Sequence, residues 1–90
     1  LRKARENLVI KQLLPCGVIS PRVLDAFLQI PRDQFIPGYE GSTVAYADAS
    51  FPVGEGRMCM EPRMLGLLLQ AANITKEKDV LLVGCGSGYE

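Results

Sequence analysis

Three glycines at every second position, Gly84, Gly86 and Gly88, follow directly on the apolar run Val80 to Val83 in the stretch "DVLLVGCGSGYE". Residues without a Cβ suit a place where the main chain must turn sharply and admit a ligand to close range. In a doubly wound α/β fold such a turn sits at the carboxyl edge of the first strand, where ligands bind. The spacing is not the G-x-G-x-x-G of dinucleotide sites, which docks a pyrophosphate on a helix N-terminus. The tighter form suits S-adenosylmethionine, which has no pyrophosphate. A plain glycine-rich turn after a core strand would leave the same pattern. Other reactive residue types are sparse. There is no histidine, and Cys16, Cys59 and Cys85 are odd in number, widely separated and free of any C-x-x-C pattern. That argues against a disulfide framework or a zinc site and for a reducing compartment, the cytoplasm. Asn73-Ile74-Thr75 matches the glycosylation sequon in form only, with no secretory signal beside it.

The elements that must position the glycines can be read from prolines and apolar spacing. Residues 2 to 14 predict a helix with Val9, Ile10, Leu13 and Leu14 on one face, ended by Pro15 and Gly17. Ser20-Pro21 supplies an N-cap and a proline at the first helical position. The helix it opens places Val23, Phe27 and Ile30 together, with Leu24 and Leu28 beside them, and Pro31 stops it. From Pro31 to Pro62 no helical period persists, and turns with short extended pieces are expected. Phe35, Tyr39, Tyr46 and Phe51 can anchor such a stretch to a core. Arg32 and Asp33 read as a surface turn, and Glu55, between two glycines, as a solvated loop tip. Pro62 opens a third helix with Leu65, Leu68, Leu69 and Ala72 at helical spacing and Met64 and Leu67 widening the stripe. The polar turn "NITKEKD" then leads to the strand Val80 to Val83.

Ninety residues, 48% of them hydrophobic and 22% charged, suit one domain or part of one. A formal net charge of zero offers no attraction for a phosphate backbone or an anionic lipid surface, so neither nucleic acid nor membrane is expected as a partner. No apolar run approaches the roughly 20 residues that span a bilayer. Glu6, Asn7, Lys11 and Gln12 interrupt any signal-peptide core, and the first residue is not methionine, which points to a piece of a longer chain.

Four segments in order, "IPRDQFIP" (30–37), "AYAD" (45–48), "FPVGEG" (51–56) and "GCGSGY" (84–89), resemble the protein-L-isoaspartate (D-aspartate) O-methyltransferase family, and the resemblance covers nearly the whole chain. It implies an α/β fold: N-terminal helices plus the first strand and glycine loop of a Rossmann-like class I methyltransferase sheet. Residues 1–90 would be the N-terminal part of a single domain. Within it, 1–40 would form a helical lead-in, 41–61 an irregular substrate-side loop region, and 62–90 a helix, the first strand and the glycine loop. The implied reaction transfers a methyl group from S-adenosylmethionine to the carboxylate of an isoaspartyl residue in a damaged protein. The resemblance places the cofactor on Gly84, Cys85, Gly86, Ser87 and Gly88, and the acceptor near Arg57, Met58, Cys59 and Met60. No metal is implied.

Such a transfer needs no general base, because a carboxylate is already ionised at neutral pH. Alignment of oxygen with methyl group and exclusion of water supply the acceleration. Two positions depart from the family pattern. Met60 stands where members carry a serine, and it cannot donate a hydrogen bond to a carboxylate. Arg57 offers a charged fork in its place, while Met58 and Met60 equally suit the filling of apolar space. Leu82 stands where class I members usually carry an acidic residue that holds the cofactor's methionyl end. Tyr46 and Asp48 suit either the acceptor groove or an aromatic anchor with a turn-forming carboxylate. These departures leave open another acceptor, or binding without turnover. The piece alone is expected to be inactive, and either to self-associate through Leu65, Leu68, Leu69 and the Val80 to Val83 edge or to belong to a larger chain.

Overall fold

In the computed structural model, which describes residues 1–83 together with Gly88 and Tyr89, the first helix, α1, changes pitch twice. It is α-helical over Arg2–Asn7, π-helical over Leu8–Leu13 and α-helical again over Leu14–Cys16. In the π stretch an amide bonds five residues back, as the Leu14 N–H does to the Val9 carbonyl. Residues five apart therefore share a face, and Leu8 and Leu13 are both buried beside Val9. The expected face is corrected accordingly: Ile10 and Leu14 lie outside. Pro15 does not stop the helix. It sits in the last turn, just after the π stretch has widened the ladder that its ring would otherwise obstruct. Gly17, at φ +106, ends it in the left-handed region that glycine adopts without a steric penalty.

The second helix, α2, spans Pro21–Gln29 and the third, α3, spans Pro62–Ala72, each with proline in its first turn as expected. Ser20 holds the cap position of α2, but its side chain makes no capping bond. Gln70 of α3 does that work, its Oε1 accepting from the amides of Ile19 and Ser20 at 2.7 and 2.8 Å while its Nε2 donates to the Gly17 carbonyl. At the far end of α3 the Lys78 ammonium donates to the carbonyls of Ala72 and Asn73, satisfying groups that the helix leaves open.

Helix α3 closes on α1 at Gly66. A Cβ there would stand 3.0 Å from a Val18 methyl and 3.3 Å from a Leu13 methyl, so only glycine lets the two helices meet this closely. Leu65 is buried with Leu8, Leu13, Val18 and Phe27 in the core. Its burial corrects the expectation of a wholly open Leu65, Leu68 and Leu69 face: Leu69 is half-buried, and the apolar side chains left outside are Met64, Leu67 and Leu68.

Between Ile30 and Pro62 the chain runs through short 3-10 turns at Arg32–Phe35 and Thr43–Tyr46, then an antiparallel hairpin of β1 (Pro52–Gly54) and β2 (Arg57–Met58). Its tip, Glu55-Gly56, has positive φ at both residues, the twist that two-residue hairpin loops require. Glu55 is exposed there, as expected. The aromatic anchors hold: Tyr46 and Phe51 are buried, and Tyr39 packs on Phe51 with ring centroids 5.0 Å apart. The α/β expectation thus resolves into helices with a small antiparallel sheet. Val80 to Val83 form no strand. They are exposed, and among the described residues no segment lies beside them to complete a ladder, without which an apolar run stays irregular. Gly84, Cys85, Gly86 and Ser87 lie outside the described residues.

Candidate functional site

The densest polar arrangement is built on the turn between α2 and the irregular segment. Arg32 and Asp33, expected on the surface, are 0% and 1% exposed. Pro31 ends α2 and the 3-10 turn that follows aims both side chains inward. The Asp33 carboxylate accepts from the Tyr46 hydroxyl at 2.7 Å, the Gly41 amide at 2.9 Å and the Gln34 side chain at 3.0 Å. Burial pushes its pKa upward, but the donors, led by the Gly41 amide, outweigh that and hold it below the ordinary 3.8. Tyr46 is shifted above its ordinary 10.0, by burial first and then by the Asp33 carboxylate that accepts its hydrogen bond. Tyr46, 4% exposed and bonded to Asp33, acts as an anchor for this turn. Asp48 turns the other way and pairs with Arg63 at the start of α3.

Arg32 ties the loops together. Its Nε donates to the Ala45 carbonyl at 2.8 Å, and its Nη2 lies 3.3 Å from the carbonyls of Ala49 and Met60 and 3.4 Å from the Cys59 sulfur. No carboxylate among the described residues pairs with it. The Phe51 ring, 5.9 Å from the guanidinium carbon, and the Tyr89 ring, 5.0 Å away, face the charge instead.

The four expected acceptor-side residues do not share one surface. Arg57 and Met58, on β2, are exposed, Cys59 is buried, and Met60 is half-buried. The Cys59 sulfur accepts from the Phe51 amide at 3.3 Å while the Cys59 amide donates to the Phe51 carbonyl, which locks the base of the hairpin. Arg57 and Met58 are thus carried outward on a hairpin whose root is fixed by Cys59 and Arg32. Cys16 and Cys59 are both free thiols, and no group of metal-ligating side chains occurs among the described residues.

At the other side of Arg32 comes the end of the glycine segment. Gly88 has φ +92, a conformation that favours glycine, and a Cβ there would meet open space. Tyr89 turns back into the molecule, packing edge-on to Phe27 at 6.2 Å and against Phe35 at 5.7 Å. It walls a small apolar cavity of about 80 Å³ with Phe27, Ile30, Leu65 and Leu69. Burial pushes its phenol up to about 12, against the opposing pull of the Arg32 charge, so the ring stays neutral. Sequence reasoning missed Arg32 and Asp33 as structural centres and gave Tyr89 no role. The signal available was the apolar and aromatic setting of the Arg-Asp pair, with Ile30, Phe35 and Ile36 around it.

A profile of the family protein-L-isoaspartate(D-aspartate) O-methyltransferase matches residues 4–90. A protein-L-isoaspartate O-methyltransferase of Synechococcus sp. (strain JA-2-3B'a(2-13)) is 40% identical over 86 residues, 96% of this chain and 35% of its own length. One from Roseiflexus castenholzii is 40% identical over 88 residues, 98% of this chain and 38% of its own. Protein-L-isoaspartate O-methyltransferase 1 of Pelobacter propionicus is 36% identical over 88 residues, 98% and 40% respectively. The chain spans between 35% and 40% of the length of these relatives. No helix among the described residues is long and apolar enough to cross a membrane. With a match that runs through the buried Arg-Asp turn, the hairpin and the glycine segment alike, the chain belongs to the protein-L-isoaspartate(D-aspartate) O-methyltransferase family.

Proposed function

We propose that the chain contributes the acceptor-side loops and the glycine segment of a methyltransferase that esterifies the carboxylate of isoaspartyl residues in damaged proteins. The observation that supports it most is the match over residues 4–90, in which acceptor-side and glycine segments occur together on one chain. Gly84, Cys85, Gly86, Ser87 and Gly88 are the proposed cofactor-binding residues, within the first strand and glycine loop of a Rossmann-like sheet. The open space beside Gly88 fits the close approach of S-adenosylmethionine. That group, when bound, supplies a methyl on a sulfonium centre, so that a C–O bond forms as the C–S bond breaks and its electron pair returns to sulfur. The residues of this chain position and exclude water. The hairpin carries Arg57 toward an anionic acceptor, Met58 and Met60 offer apolar surface, and Cys59 holds the hairpin root. No proton needs to be taken from the acceptor, whose carboxylate is already ionised at neutral pH. The ester can then close to a succinimide, releasing methanol, and reopen as ordinary aspartate. Free Cys16 and Cys59 suit a reducing cytoplasm.

The test is transfer of a labelled methyl group from S-adenosylmethionine to an isoaspartyl peptide by the protein as its organism makes it. The matching aspartyl peptide is the control. Label on the isoaspartyl peptide alone is the expected result. Cofactor binding with no transfer to either peptide would overturn the proposal in favour of a non-catalytic binder.

A further inference from the structure

The hairpin of β1 and β2 is too small to set its own direction. Its strands are three and two residues long, and an isolated two-stranded ribbon is barely stable in water. Where it points depends on what holds its root. There the Cys59 amide donates to the Phe51 carbonyl at 2.8 Å, which makes the last rung. On that rung the Cys59 sulfur accepts from the Phe51 amide at 3.3 Å and from Nη2 of Arg32 at 3.4 Å. The same nitrogen lies 3.3 Å from the Met60 carbonyl, where the chain leaves the hairpin for α3. Outward from the root, the pairing continues through Pro52 and Met58 to Gly54 and Arg57. Arg57 stands two residues beyond Cys59, about 7 Å along an extended chain.

The guanidinium is itself held from behind. Its Nε donates to the Ala45 carbonyl at 2.8 Å, and Nη2 reaches the Ala49 carbonyl at 3.3 Å. Asp33, the next residue, accepts from the Gly41 amide and the Tyr46 hydroxyl, which fixes the turn that carries Arg32. Arg32 is buried, so water does not compete for its bonds. One side chain thus joins a fixed turn to the foot of an exposed ribbon.

We infer that Arg32 is a positioning residue, whose bonds to Cys59 and Met60 set where the hairpin presents Arg57 to the acceptor. The inference rests on the functional reading above, in which Arg57 meets the acceptor's carboxylate. Arg32 touches no reacting atom and acts through the ladder. A small tilt at the root becomes a larger displacement at Arg57, and a misplacement of about 1 Å is enough to weaken a positioned contact severely.

The experiment is a double-mutant cycle on KM for an isoaspartyl peptide, with the protein as its organism makes it. Labelled methyl transfer is followed at saturating S-adenosylmethionine, below the melting temperature of every variant. Arg57→Gln, at an exposed position, should raise KM about tenfold. Arg32→Lys keeps a buried cation without the planar fork and should raise KM about fivefold. The double variant should lie within about twofold of Arg57→Gln alone, since a contact already removed cannot be misplaced. A merely structural role for Arg32 gives independent effects that multiply to about fiftyfold. Cys59→Ala removes the sulfur and spares the carbonyl bonds of Arg32. It should raise KM about threefold with the same failure to multiply, and it serves if Arg32→Lys does not fold. Effects that multiply, or a destabilised Arg32→Lys protein with unchanged KM, overturn this inference alone. A wild type that transfers no methyl group to the peptide overturns the functional reading and the inference with it. An unchanged KM in Arg57→Gln removes Arg57 from that reading and likewise ends the inference.

Discussion

The turn at Arg32 and the outer face of α3 handle their side chains in opposite ways. At the turn, two charged residues are sealed from water and their polar atoms organise backbone from Gly41 to Met60. On α3, Met64, Leu67 and Leu68 are apolar and lie open, as do Val80 to Val83 beyond it. The irregular half is held by directional bonds from a few buried polar groups, because a segment without ladders must find other partners for its carbonyls. The helical half satisfies most of its backbone within its own helices and calls on side chains chiefly at their ends, at Gln70 and Lys78, and part of its apolar surface is left over.

That contrast breaks most sharply at Arg32. Arg32→Met should destabilise by about 3 kcal/mol or more, since it leaves several buried carbonyls unpaired at once, and urea unfolding would register the loss. Asp33→Asn should cost about 1–3 kcal/mol, because the Gly41 amide and the Tyr46 hydroxyl lose a charged acceptor. The same residue predicts a pH effect. Its folded pKa is depressed, so its stabilisation is complete above the unfolded value near pH 4 and fades as pH falls through the lower folded value. Acid unfolding should therefore steepen below about pH 4 in the wild type and flatten in Asp33→Asn. Gly66→Ala sets a gain in helix propensity of about 1 kcal/mol against crowding of Val18, whose branched side chain is stiff. A net loss of about 1 kcal/mol is expected in the melting temperature series. On the open face, Leu68→Lys should change stability by less than about 0.5 kcal/mol. A loss of several kcal/mol there would show that the face is covered in solution and would weaken the contrast.

Prolines made the helix starts legible: Pro21 and Pro62 open α2 and α3, and Pro31 closes α2, because the ring acts on its own neighbours. The pitch change in α1 was not legible. Leu8, Val9, Ile10, Leu13 and Leu14 admit both a four-residue and a five-residue repeat, and only packing against Gly66 and Val18 selects between them. The burial of Arg32 was hidden for a different reason. Its acceptors are main-chain oxygens 13 to 28 residues away, which every sequence has and no residue type advertises. The expected strand over Val80 to Val83 is not formed among the described residues, because apolar character describes what a ladder would accept and not whether a neighbouring rung is present. The glycine spacing and the four co-linear segments led to the family, whereas Tyr89, whose importance lies in what its ring meets across the molecule, carried no local mark.

Gln70 gives the assembly of this chain an order. One amide side chain serves three main-chain groups some fifty positions earlier, so the bend joining α1 to α2 is completed only by a residue made long after it. During synthesis the first two helices must wait, with the amides of Ile19 and Ser20 facing water, until α3 has left the ribosome and docked.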